Sequence, residues 1–146
     1  MKKYLTLILL LLVSFSASAQ TDAQLDQLRS EIRKSGLESV LVQISAIFKE
    51  NTRNINLPDG WESLDVTAKG SVMTTTWRAK DAEYKDIGKD IEMLAKSYTL
   101  KTVCNQRVRG MLIHEFGATM LSRYVDKNNR YLWEVRVDKE SCRNVR

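Results

Sequence analysis

From Asp22 onward Leu25, Leu28 and Ile32 recur at spacings of three and four, with Thr21 and Asp22 placed to cap a first amphipathic helix. Leu37, Val40, Leu41, Ile44, Ile47 and Phe48 continue the helical period after Gly36, which either ends the helix or bends it, so helix is expected through about Glu50. The natural destination of such a stripe is a core. Asn51 to Gly60, with Leu57-Pro58-Asp59-Gly60, has loop composition. The period then changes to two. Leu64, Val66 and Ala68 alternate with Ser63, Asp65 and Thr67, Lys69-Gly70 offers a turn, and Val72 to Trp77 is rich in Val and Thr. This pattern predicts a β-hairpin.

Asp86 to Thr99 returns to helical spacing, with Ile87, Ile91, Leu94 and Tyr98 on one side. After Cys104, Val108, Met111 and Leu112 predict a short helix that Gly117 can end, although Ile113 to Val125 would also suit one long strand. Tyr131, Trp133, Val135 and Val137 alternate with polar residues, and Met120, Ser122 and Tyr124 form a matching upstream face. A two-residue turn at Asn128-Asn129 sets Tyr124 opposite Trp133 and Arg123 opposite Glu134, an apolar pair inside and a charge pair outside. The order predicts an α+β domain: an antiparallel sheet of about four strands with helices packed on one face.

The first 19 residues stand apart from this pattern. Lys2 and Lys3, the apolar run Leu5 to Val13 and Ala17-Ser18-Ala19 have the three-part form of a cleaved signal peptide. The run is short of the roughly 20 residues a spanning helix needs. Gln20, rather than Cys, follows the small residues, which argues against a lipid-modified N-terminus. The reading is therefore a signal peptide at 1–19 and one α+β domain at 20–146, with a long N-terminal helical region and no transmembrane segment in the mature chain. Its expected location is the periplasm or the exterior.

Export changes the charge picture. The whole chain carries a formal +5, which drops to +3 when Lys2 and Lys3 leave. The remaining excess lies in residues 101–146, with 10 basic and 5 acidic side chains. Arg107, Arg109, Arg123, Arg130, Arg136, Arg143 and Arg146 make that end arginine-rich, suited to carboxylate or phosphate partners. Arg123, Arg130 and Arg136 are the candidate contacts for an anionic envelope component or an envelope protein. Solubilising the outer face of a sheet is the plainer role for the same residues. Nucleic acid is a poor partner for an exported chain whose aromatics alternate toward the core.

Catalytic and metal signatures are sparse. Cys104 and Cys142 are the only two cysteines, and an oxidising compartment makes one disulfide between them the economical expectation. They lie too far apart for a Cys-x-x-Cys redox site, and with one histidine they do not make a zinc site. His114, the single histidine, is the one residue around which a small hydrolase could be built, yet no G-x-S-x-G elbow accompanies it. The acidic pairs Asp86/Asp90 and Glu31/Glu38 sit among basic residues, as on a solvated helix surface. Nothing calls for a cofactor or metal, and no phosphate loop, H-E-x-x-H motif or calcium loop occurs.

The layout Leu57-Pro58, a strand pair ending at Trp77-Arg78, a helix, Cys104, Gly117-Ala118, Tyr124-Val125-Asp126-Lys127-Asn128 and Val135-Arg136-Val137 before Cys142 resembles a recurrent type of small exported bacterial protein. The resemblance covers roughly residues 55–142 and implies an α+β fold with a disulfide-closed C-terminal hairpin. It carries over no activity and no site residue. The leading expectation is a non-enzymatic interaction protein. Inhibition of, or immunity against, an envelope enzyme is an alternative, and a hydrolase using His114 a third.

Overall fold

The computed structural model describes residues 21–52 and 60–145; the expected signal peptide at 1–19 and the Leu57-Pro58-Asp59 stretch lie outside the described residues. The first described helices are α1, Asp22–Ser35, and α2, Leu37–Thr52. Thr21 caps α1 through a reciprocal box with Gln24, satisfying N–H groups that the first turn leaves open. Gly36 separates the helices. Its φ of 85° lies in the region that side chains with a Cβ avoid.

The sheet contains β1, Trp61–Lys69; β2, Val72–Ala79; β3, Thr119–Val125; and β4, Tyr131–Val137, in spatial order β1-β2-β3-β4. A single 3-10 turn, Tyr84–Asp86, leads from β2 into α3, Lys89–Asn105, which is followed by α4, Arg107–Phe116. The last described helix is α5, Lys139–Arg143. This is the expected α+β class with four strands. The sheet is mostly antiparallel but not wholly so, because β2 and β3 pair in parallel. A parallel neighbour needs a long crossover, and the α3–α4 excursion is that crossover.

Several local expectations shift. The first hairpin turns at Gly70-Ser71, not Lys69-Gly70, since Lys69 pairs with Val72 and Gly70 takes a φ of 59°. A bulge between Ser63 and Asp65 takes Leu64 out of the alternation and leaves it exposed. The helix expected from Asp86 starts at Lys89 and runs beyond Thr99 to include Cys104. The alternative of one strand from Ile113 to Val125 is excluded: Gly117, with φ 72°, closes α4 in the left-handed conformation and β3 begins at Thr119.

The second hairpin keeps its expected register by another route. Tyr124 stands opposite Trp133 and Arg123 opposite Glu134, yet Val125 pairs with Tyr131. The connection is therefore Asp126 to Arg130 rather than an Asn128-Asn129 two-residue turn, and a bulge at Leu132 restores the pairing. Asn129 adopts φ 64°, a conformation Asn tolerates better than most residues.

One sheet face is the core. Val66, Met73, Met120, Tyr124, Trp133, Val135 and Val137 pack with Leu28 and Ile32 of α1, Val40 and Leu41 of α2, Val103 of α3 and Leu112 and Ile113 of α4 in a single buried cluster. Trp61 and Trp133 meet Tyr124 at ring separations of 5.2 and 5.3 Å, edge-on and stacked respectively. Arg29 of α1 makes two hydrogen bonds to Glu115 of α4, at 2.7 and 2.6 Å, linking distant parts of the chain. The expected disulfide is present, Cys104 to Cys142, joining the end of α3 to α5. Its anchor is thus the long helix and not the start of the short one.

Candidate interaction surfaces

The alternation that sends apolar side chains inward sends polar ones to a sheet face that, among the described residues, no helix covers. Across this face the register lines up Thr76, Arg123 and Glu134, and next to them Thr74, Leu121 and Arg136. Glu62 and Arg78 pair on it at 2.7 Å. Arg123 lies 3.6 Å from Glu134; Arg136 lies 3.2 Å from Asp138 and also donates to the Thr119 hydroxyl. Arg123 and Arg136 are therefore brought together on one exposed surface. Their ion-pair partners, Glu134 and Asp138, are themselves exposed or half-exposed, and ion pairs in that setting hold weakly, whereas the Thr119 hydroxyl that Arg136 also reaches belongs to a buried residue. An incoming carboxylate or phosphate can compete for both guanidinium groups.

Arg130 is elsewhere. It sits in the β3–β4 connection with its guanidinium 5.3 Å over the ring of Tyr84. The other basic residues of the C-terminal third are likewise dispersed: Arg107 pairs with Asp22, and Arg109 stacks on Phe48. The linear excess of positive charge does not become one continuous patch.

The same connection holds a buried polar arrangement that periodicity did not reveal. Asp126 is fully buried. Its carboxylate accepts from the backbone N–H of Tyr84 at 3.0 Å and from those of Asn128 and Arg130 at 2.8 Å each. Burial by itself pushes this carboxyl up; the three N–H groups and the nearby Arg130 charge outweigh it and hold it below the usual aspartate range. Lys127 pairs with Glu83 at 3.0 Å across the same junction, and that hydrogen-bonded charge draws Glu83 down as well. The Asp-x-Asn spacing was the available signal, an Asx turn. Nothing in a linear pattern says that Tyr84 will arrive to share the same carboxylate.

The stripe Ile87, Ile91, Leu94 and Tyr98, which the helical period puts on one side, is mostly not the side that the core covers. At 100° per residue, Ala95, Thr99 and Val103 form a line about a quarter-turn away, and that line faces the sheet, where Thr99 shares a 2.6 Å hydrogen bond with the Tyr124 hydroxyl. Ile87 is partly buried against the core; Ile91, Leu94 and Tyr98 are 42%, 72% and 66% exposed. Tertiary packing chose the weaker apolar line because two elements of the C-terminal half, β4 and the disulfide-tethered α5, both approach α3 from that side.

His114 lies exposed on α4. Among the described residues, no group of three or more His, Cys, Asp or Glu side chains could hold a metal ion, and no helix is long and apolar enough to cross a membrane.

No family model and no curated relative matches the chain by sequence. Solved structures match its fold. A candidate secreted protein from Pseudomonas aeruginosa aligns with TM-score 0.62 at 16% identity, covering 73% of this chain and 92% of its own. The pilotin EpsS of the type II secretion system of Vibrio vulnificus aligns with TM-score 0.58 at 10% identity, covering 78% and 96% respectively. AspS, a type II secretion pilotin from Vibrio cholerae, gives TM-score 0.55 at 15% identity over 79% and 98%. At these identities the likeness is one of fold.

Proposed function

We propose that this chain is an exported, non-enzymatic interaction protein of the bacterial envelope, which binds an acidic protein surface through its uncovered sheet face. The observation that carries the reading is the division of the sheet. One face is buried under helices, while the other presents Arg123 and Arg136 diagonally across the β3–β4 pair, each in an ion pair with an exposed or half-exposed carboxylate. Three features support it: the N-terminal sequence has the form of a signal peptide, the two cysteines are joined as an oxidising compartment allows, and proteins of the same fold include a candidate secreted protein and secretion-system pilotins. Protein partners suit this surface better than a uniform anion such as a lipid headgroup layer, because Glu62 and Glu134 interrupt the positive charge.

Crosslinking in intact envelopes, followed by isolation of the tagged full chain, tests the reading. A discrete partner is expected to be lost from the Arg123→Glu/Arg136→Glu variant. Unchanged capture of that partner by the folded double variant removes the sheet face from the interaction.

A further inference from the structure

The exposed stripe of α3 is a separate surface, on the helical side of the molecule. We infer that it pairs two copies of this chain, α3 against α3, in an antiparallel two-fold dimer. The apolar part is Ile91, Leu94 and Tyr98, each more than two-fifths exposed, on a helix of 17 residues, about 25 Å long. Leu94 is the most exposed of the large apolar side chains in the described residues.

The occupant is identified by charge. Asp90 and Lys101 are exposed, stand eleven positions apart near opposite ends of α3, and lie within about 20° of each other around the helix, on the same flank of the stripe. A two-fold axis perpendicular to antiparallel helices keeps each flank against the same flank of the other copy and reverses the direction along the axis. Centred midway between residues 95 and 96, it sets Asp90 level with Lys101 of the second copy, and the symmetry makes that ion pair twice. In the same register Leu94 meets its own counterpart beside the axis, and Ile91 comes within two residues of the level of Tyr98 on the other chain. A single choice of centre thus satisfies both the charges and the apolar stripe, which a chance distribution of surface residues has no reason to do. Glu92 and Lys96, the other oppositely charged residues nearby, are already paired within the helix. The contact is one helix face wide, well below the area of a standard stable interface, so the dimer is weak and concentration-dependent.

Sedimentation velocity on the mature full-length chain, over a concentration series, tests this. The expected result is a monomer–dimer equilibrium that Leu94→Lys shifts toward monomer by about tenfold or more in Kd. Asp90→Lys or Lys101→Asp alone should weaken the dimer, and the two together should restore it, since the exchanged charges again face each other across the axis. Far-UV circular dichroism of each variant checks that these exposed positions leave the fold intact. A chain that stays monomeric to its solubility limit, a dimer indifferent to Leu94→Lys, or a charge-swapped double variant no better than the singles overturns the inference. Arg123→Glu/Arg136→Glu should leave the dimer in place, so failure of the sheet-face reading and failure of this one are separately visible.

Discussion

Asp126 concentrates in one side chain what the β3–β4 connection needs. A buried carboxylate is costly unless its oxygens are met, and here backbone donors from both sides of the 82–84 and 126–130 junction meet them. Because its folded-state pKa lies below the ordinary value of 3.8, its stabilisation is complete above that pH and is lost as pH falls through the lower folded value. Asp126→Asn leaves one acceptor oxygen where there were two and turns an amide NH2 toward a backbone donor. Thermal unfolding should therefore show a lower Tm for the variant at neutral pH, with the gap to the parent narrowing as pH is lowered toward about 2. A gap independent of pH contradicts this account. Asp138 follows the same sign: the Ser141 backbone N–H first, then its hydroxyl and Arg136, hold its carboxyl down against partial burial.

Among elements, α5 depends most on a single covalent link. It has only five residues, too short to persist alone, and is held by the Asp138 cap and by Cys142. The disulfide closes a loop spanning a sequence separation of 38, which encloses α4 and the whole β3–β4 hairpin. Chain entropy assigns such a closure about 4 kcal/mol. Cys104→Ser/Cys142→Ser should lose about 2–4 kcal/mol of unfolding free energy in urea titration while keeping the far-UV spectrum of an α+β protein. A loss within experimental error would mean that α5 and the end of α3 are held by packing alone. The α3 helix illustrates the opposite dependence, since its own sequence offers two apolar lines and its neighbours decide which is buried.

At the scale of the molecule, residues from α1 near the start of the described chain and from β4 near its end belong to one core. The parallel β2–β3 pair lies at the centre of the sheet, so neither hairpin can leave without opening it. Unfolding should then be a single transition. Tryptophan fluorescence, which reports on Trp61, Trp77 and Trp133, all packed at the core, and far-UV circular dichroism, which reports on the helices, should give superimposable urea curves. Separated midpoints would show that the two halves of the sheet fold apart.

Legibility followed the range of the interactions. Apolar period and glycine placement were enough for the order of the main helices and strands and the left-handed stop at Gly117, because each is decided within a few neighbouring residues, whereas the Arg123–Glu134 pairing was expected from a turn that the structure replaces with a longer connection and a bulge. Two cysteines in an exported-looking chain were enough for the disulfide. The uncovered sheet face was half legible: alternation put Arg123 and Arg136 outside, but the arginine-rich composition added Arg130 as their companion, and only the loop geometry turned that residue onto Tyr84. What the sequence could not specify were the choices that involve a second, distant segment. The bulges at Leu64 and Leu132, the parallel β2–β3 pairing, the convergence of Tyr84 on Asp126 and the buried side of α3 all depend on what arrives from elsewhere in the chain. Local patterns state what a segment can present. Tertiary structure decides which of those faces is covered, because burial is a property of pairs of surfaces.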